Sequence, residues 1–348
     1  MYRLSKYIGL EKSHNMMIGM LNKAQYSGTF IGILEEHYKY TSKRLQIDVF
    51  DQKFRNPVGV AAGFDKNAQA VRALEAIGFG YIEVGTVTPR SQLGNEKPRM
   101  FKLAEDEGII NRLGFNNHGM RTIYQRLSGY DTEVPVGVNI GKMNDSNYKQ
   151  SLDDYRNLVS IFGEMPSYYV LNVSCPNTPD KYDEQEDSKV SEIVRVVTEV
   201  INDTPVLVKI SPDESDERLK SMSNVINNSD IAGVIATNTT KRRPNSLESP
   251  HEVEEGGLSG RPLRSASNQV IELMYGLTDV PIIGVGGVSD GRTAYDKITS
   301  GASLVQLYTG IVHNGLSSAY EINRELDSIL RSNGFKSVSE AVGSDVKE

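Results

Sequence analysis

The only cysteine of this 348-residue chain, Cys175, sits in the stretch Asn172-Val173-Ser174-Cys175-Pro176-Asn177. A lone thiol is most often a small buried hydrophobe; its alternative is a reactive group, decided by its surroundings. Five asparagines (Asn111, Asn139, Asn172, Asn177 and Asn238) fall near the ends of apolar runs, with two lysines, Lys66 and Lys209. Asparagine carries both donors and an acceptor, so a ring of them suits a flat heterocycle that displays alternating N–H and C=O groups. The turn Gly286-Gly287 and the Tyr308-Thr309-Gly310 stretch supply small residues and free backbone N–H groups. Such N–H groups cradle a phosphate monoester, which belongs more naturally to a cofactor such as FMN than to that heterocycle. Taken singly, a glycine pair is a tight turn, an asparagine a capping residue and a lysine a solvated charge. Acids and histidines are scarce at these positions, which argues against paired-carboxylate glycoside hydrolysis and against a His-rich metal centre.

Eight apolar runs place these residues. They span 57–63, 81–86, 134–140, 168–173, 205–210, 231–236, 281–285 and 303–307. Near-continuous apolar runs belong to parallel strands covered on both faces. Helical stretches separate them, for example 68–77 and 189–202, so the pattern predicts a (β/α)8 TIM barrel, with a doubly wound open sheet as the alternative. In a barrel, the ends of the strands and the loops after them form the functional rim, and every residue above falls there. Residues 45–57 predict a β-hairpin turning at Asp51-Gln52 and closing the barrel bottom.

Hydrophobic content of 38% supports a large core, and a net charge of −7 gives no reason to expect nucleic acid as a partner. One cysteine excludes an internal disulfide. No signal peptide and no membrane-spanning run is expected. Residues 1–45 differ in charge from the rest, with seven Lys/Arg against three Asp/Glu. Two short amphipathic helices are expected here. The first covers 13–24, with Ser13 as N-cap and Met16, Met17, Met20, Leu21 and Ala24 on one face. The second covers 29–38, with Phe30, Ile31, Ile33 and Leu34. Packing on the barrel and resting on a lipid surface both fit this composition.

At the rim residues the chain resembles the dihydroorotate dehydrogenases, FMN enzymes of pyrimidine synthesis. The matching blocks include AAGFDKN (61–67), EVGTVTPR (83–90), NRLGFNN (111–117), GVNIGK (137–142), NVSCPNTPD (172–180), VLVKISPD (206–213), ATNTT (236–240), GGLSGRPL (256–263), IIGVGGV (282–288) and GASLVQLYTG (301–310). GGLSGRPL and the N-terminal extension resemble the class 2, quinone-using branch. The resemblance implies two parts: an N-terminal helical extension over 1–44 for quinone and peripheral membrane contact, and an FMN-binding barrel over 45–348. It implies FMN contacts at Ala62, Gly63, Thr86, Asn139, Asn172, Lys209, Thr237, Gly260, Gly287, Tyr308 and Thr309. Dihydroorotate would meet Lys66, Asn111, Phe115, Asn172, Asn177, Asn238 and Thr239, with Cys175 as the base. His14, Lys102 and Tyr308 would flank the quinone channel, and the location implied is the cytoplasmic face of the cell membrane. Two positions depart from class 2 habit. Cys175 stands where serine is usual and cysteine is the class 1 residue; Lys102 stands where arginine is usual. The alternatives are a soluble dihydroorotate dehydrogenase using fumarate or another acceptor, and a non-catalytic flavin- or nucleotide-binding barrel.

Overall fold

The structure is a computed structural model that describes residues 8–175, 177 and 186–346. Arg3 and Lys6 of the basic segment, and Pro176 and residues 178–180 of the cysteine block, lie outside the described residues. The strands are β1 (Ile47–Val49), β2 (Gln52–Phe54), β3 (Val58–Val60), β4 (Tyr81–Val87), β5 (Met100–Leu103), β6 (Gly108–Asn111) and β7 (Val136–Ile140). They continue as β8 (Tyr168–Leu171), β9 (Val206–Ile210), β10 (Ile231–Ala236), β11 (Gly257–Gly260), β12 (Ile282–Val285) and β13 (Leu304–Leu307). The helices are α1 (Leu10–Ala24), α2 (Gly28–Tyr38), α3 (Val71–Ala76), α4 (Met120–Leu127), α5 (Tyr148–Phe162) and α6 (Asp187–Thr198). After them come α7 (Asp216–Asn227), α8 (Arg264–Tyr275), α9 (Gly291–Thr299), α10 (Thr309–Asn314) and α11 (Ser318–Ser332).

The eight expected runs are the eight parallel strands of a closed barrel, in the order β10-β12-β13-β3-β4-β7-β8-β9. Closure at β13–β3 is in register, with Val305 opposite Val58 and Leu307 opposite Val60. The lower interior is filled by rings. Tyr81 and Tyr168 are fully buried, and Gly59 and Gly137 make room for them. A Cβ on either glycine would stand 2.3 Å and 2.2 Å from the respective ring. The β1–β2 hairpin closes the bottom, as expected, with Phe54 edge-on to Tyr81 at 5.3 Å and Phe50 against Tyr168 at 6.2 Å. Its turn is Phe50-Asp51, not Asp51-Gln52: Val49 pairs with Gln52, and Phe50 and Asp51 take φ of 55° and 57°. A two-residue turn with both centres left-handed matches the twist of its strands. Phe50 adopts this unfavourable conformation while its ring packs under the barrel.

Two further corrections concern the N-terminal pair. The first helix begins at Leu10 behind Gly9, and Ser13 is a buried residue of its first turn whose Oγ donates to the Gly9 carbonyl at 2.9 Å. The face on the barrel is Leu10, His14, Met17, Ile18 and Leu21, whereas Met16 and Met20 are 46% and 59% exposed. On α2, Leu34 is buried, and Phe30 and Ile33 are 39% and 49% exposed. The pair therefore packs on the barrel and also leaves four large apolar side chains in solvent. Segment 40–44 is tied to α11 by Asp327, whose carboxylate accepts from Tyr40, Ser42 and Arg44 at 2.9, 2.9 and 3.1 Å. A three-stranded antiparallel sheet, β5-β6-β11, is a separate unit that the apolar runs do not predict.

Candidate active site

The strand ends converge on one cavity of about 1040 Å³, counting its open mouth. From β3 it receives Ala61, Ala62, Gly63 and Lys66; from β4, Thr86; from β8, Asn172, Cys175 and Asn177. Strands β9 and β10 add Lys209, Thr237, Asn238 and Thr239, and β12 and β13 add Gly286, Gly287, Tyr308 and Thr309. The small sheet supplies one wall. It carries Asn111 on β6 and Gly260 after Ser259 on β11, paired in register from Gly257–Asn111 to Gly260–Gly108. Asn111 is thus a strand residue rather than a loop residue. Phe115 lines the cavity and is buried at φ 54°.

The asparagines form a connected lattice. Asn238 Nδ2 donates to Asn172 Oδ1 at 3.1 Å, and Asn172 Nδ2 to Thr86 Oγ1 at 2.8 Å. Thr86 Oγ1 donates to Asn139 Oδ1 at 2.6 Å, and Asn139 Nδ2 to Glu83 Oε1 at 2.9 Å. Gln306 Nε2 donates to the other Glu83 oxygen at 2.7 Å. Asn139, expected to touch the flavin, is fully buried and does not line the cavity; its contact with the lining is the bond to Thr86. On the far wall Asn177 Nδ2 donates to Asn111 Oδ1 at 3.2 Å, which ties the β8 loop to the small sheet. Sequence reasoning passed over Glu83 and Gln306. The signal for Glu83 was one acid inside an otherwise apolar strand, Tyr-Ile-Glu-Val-Gly.

Burial dominates the electrostatics. It pushes the Cys175 thiol up to about 11; a hydrogen bond from the Asn177 backbone and the charges of Lys209, Lys142 and Lys241 oppose it. It lowers Lys66 to about 8, against the attraction of Glu11. Lys209 is also lowered by burial, with Glu83 and Cys175 opposing. Desolvation disfavours the charged form in each case.

On the β13 side, His14 donates from Nε2 to the Phe64 carbonyl at 2.8 Å and stacks on Tyr308, with centroids 5.9 Å apart and planes 16° apart. Burial, then the Lys66 charge, holds this imidazole down at about 3, so it is neutral at any ordinary pH. His14 and Tyr308 are brought together as expected. Lys102 lies on β5 and does not line the cavity; its charge bears on His313, which burial and then Lys102 push down. Helix α1 is anchored at Glu11, which takes Arg99 Nη2 at 2.7 Å and Nε at 3.2 Å. Arg99 also donates to the Leu93 and Asn95 carbonyls at 2.6 and 2.7 Å. Burial would raise Glu11, but Arg99, with the charges of Lys97 and Lys66, together offset it and hold the carboxyl below its usual range.

The cavity suits the flavin expected from the sequence. Among the described residues, Thr239 Oγ1, Gln306 Oε1 and Tyr308 Oη are buried without a hydrogen-bond partner. All three residues belong to its lining. Buried polar atoms of this kind are normally satisfied, so they mark where a polar ligand belongs. Gly286 and Gly287 hold φ of 123° and 76°, and a Cβ on Gly287 would stand 2.6 Å from that of Arg264. No group of three or more potential metal ligands exists among the described residues, and no helix there is long and apolar enough to cross a membrane.

Comparison with known proteins agrees with this geometry. The family model described as "Dihydroorotate dehydrogenase" matches residues 44–330. A Natronomonas pharaonis protein named dihydroorotate dehydrogenase (quinone) is 46% identical, covering 90% of this chain and 89% of its own. The Mus musculus mitochondrial protein of that name is 40% identical, over 98% and 88% of the two chains. The crystal structure of an Eimeria tenella DHODH in complex with ferulenol superposes with a TM-score of 0.89 at 35% identity, covering 97% of this chain and 96% of that one. The chain belongs to the dihydroorotate dehydrogenase family.

Proposed function

We propose that this protein oxidises (S)-dihydroorotate to orotate in pyrimidine biosynthesis, with FMN as hydride acceptor and a quinone as final electron acceptor. The observation that carries this reading is one cavity holding Lys66, Cys175 and the asparagine lattice, roofed on its β13 side by α1. Lys66 pairs with the substrate carboxylate by a charge-assisted bond. Asn111, Asn172, Asn177 and Asn238 offer amide donors and acceptors to the edge of the ring, and Thr239 Oγ1 supplies one more free hydroxyl. Cys175 Sγ takes the proton from C5 as the C6–H bond breaks. Bound here, FMN would supply a two-electron acceptor for the C6 hydride and a donor to the quinone. Lys209 lines the cavity and would offer a positive charge to the flavin, and the charge of Glu83 bears on Lys209. Ala62, Gly63, Thr86, Thr237, Gly260, Gly287, Tyr308 and Thr309 would hold the cofactor.

Residues 1–44 serve the acceptor side in this reading. Met16, Met20, Phe30 and Ile33, together with the excess of basic residues, support a peripheral contact with a membrane at its cytoplasmic face. Tyr308 lines the cavity and His14 stacks on it, which supports a quinone approach on this side; Lys102, on β5, lies outside the cavity lining.

The test is anaerobic stopped-flow absorbance on the FMN-loaded protein. Dihydroorotate should bleach the flavin, and a quinone should restore its colour faster than fumarate or NAD. Restoration by fumarate alone would keep the chemistry and remove the quinone role; no bleaching would remove the activity.

A further inference from the structure

Lys297 on α9 is fully buried and lies outside the cavity. Its Nζ donates to Ser267 Oγ and to Asn268 Oδ1, both at 2.8 Å and both from α8. Neither partner is charged. The acid next to it in sequence, Asp296, is held by Arg292 Nε at 2.8 Å. A buried ammonium with neutral partners is expensive unless a negative charge compensates it.

Its surroundings say where that charge belongs. Ser267 Oγ passes the contact on, donating to the Val285 carbonyl at 2.6 Å. Val285 ends β12, and its peptide bond leads into Gly286. Ser267 Cβ would stand 3.0 Å from a Cβ on Gly286. Arg264 Nε fixes the next residue by donating to the Gly287 carbonyl at 3.1 Å. Lys297 therefore stands two hydrogen bonds behind the glycine turn. A chain from ammonium to hydroxyl to carbonyl polarises the Val285–Gly286 peptide and strengthens its N–H as a donor.

We propose that Lys297 is the buried counter-charge of the cofactor phosphate: it acts through Ser267 and the glycine turn, and phosphate binding draws a proton onto it. This rests on the FMN reading above. Lys297 would be a positioning residue, since it touches neither flavin nor substrate. Burial, with Arg264 adding to it and Asp296 opposing, pushes its amine down to about 7. These are the charged groups that bear on it; β12 meets it with Gly284, where a Cβ would stand 3.2 Å from Lys297 Cδ. A phosphate monoester is a dianion above its second pKa of about 6. Its arrival favours the charged amine, so binding takes up a proton above neutral pH.

Riboflavin carries the same ring without the phosphate, which makes the test specific. Dissociation constants for FMN and riboflavin would be measured on the full-length protein, stripped of flavin and rebound, by fluorescence quenching from pH 7 to 9. FMN affinity should weaken by up to about tenfold per pH unit, while the ratio to riboflavin removes any shared effect of Lys66. Lys297→Met should weaken FMN at pH 7 by about tenfold or more, leave riboflavin within about twofold, and abolish the pH dependence of their ratio. Equal weakening of both ligands would reduce Lys297 to a packing role and overturn the proposal. If the variant does not fold, calorimetry of the unaltered protein in buffers of different ionisation enthalpy decides. Extra proton uptake by FMN over riboflavin at pH 8 supports the proposal; equal uptake overturns it. Failure of both flavins to bind would remove the flavin reading itself, and this inference with it.

Discussion

Flavin reduction should depend on pH in a way that separates Cys175 from Lys66. Burial sets the thiol at about 11 and Lys66 at about 8. At pH 8 a base of that strength is ionised in about one molecule in a thousand. The limiting rate of flavin bleaching at saturating dihydroorotate should therefore climb by about tenfold per pH unit from 7 to 10, about 1.4 kcal/mol of barrier each time. Substrate affinity should move the other way. In the proposed role the charged Lys66 binds the carboxylate; that form is fully present about a pH unit below 8, half present at 8 and lost above it, so the dissociation constant should rise above pH 8. Anaerobic stopped-flow at several substrate concentrations and pH values gives the two quantities separately. Cys175→Ala should lower the limiting rate by about 10²–10⁴ and keep FMN bound. Cys175→Ser should reduce it as well, since an alkyl hydroxyl is a far weaker acid than a thiol. A limiting rate flat from pH 7 to 10, or near-normal bleaching in the alanine variant, would refute the assignment of Cys175 as the base.

Two predictions concern the scaffold. Arg99→Met removes a buried guanidinium that binds Glu11 and two carbonyls of the 93–95 loop, leaving the partly buried acid with only the exposed Lys97 at 3.7 Å. The cost should be about 3 kcal/mol, read as a lower thermal midpoint, and orotate affinity should fall too because Asn95 Nδ2 donates to the Asn177 carbonyl at 3.0 Å; an unchanged midpoint would sink this. Gly137→Ala would drive a Cβ to 2.2 Å from the Tyr168 ring and should leave no soluble folded protein, whereas Gly19→Ala, with nothing within 4 Å, should stabilise α1 by about 0.5–1 kcal/mol. Equal yields of the two variants would show that the barrel floor yields more easily than its packing implies.

The eight barrel strands were legible because a strand buried on both faces must be apolar throughout, and that leaves a run in the sequence. The rim residues were legible for the same reason: once a strand end is fixed, the residues after it must face the mouth. The small sheet was not legible. Its central strand β6 pairs with β11 from about 150 residues away and with β5 close by, and four-residue strands carry too little pattern to announce such a pairing. The face of α1 was misread because it includes two polar residues. His14 belongs to the buried stripe through the carbonyl of Phe64, 50 residues on, and Ser13 satisfies itself on Gly9. Reading apolar side chains alone turned the helix toward Met16 and Met20. Glu83 escaped because its partners, Asn139 and Gln306, come from β7 and β13.

The pairing of a class 1-like cysteine with a class 2-like extension follows from where the barrel puts each. In the closed ring, β8 and β13 are separated by three strands on either side, so they stand opposite each other. Cys175 follows β8 and Tyr308 follows β13. Cys175, the proposed base, therefore stands on one wall of the mouth, and the contacts of α1, His14 on Tyr308 and on Phe64, gather on the other. The two sides are tied together through shared substrate and cofactor, and through the bridge from Glu11 by Arg99 and Asn95 to Asn177. That bridge ends on a backbone carbonyl and places the loop without contacting Sγ. The choice between thiol and hydroxyl sets how readily C5 gives up its proton. On the proposed reading, the choice of acceptor is set by what covers the Tyr308 side. A barrel that separates these two tasks across its diameter lets either change while the other stays.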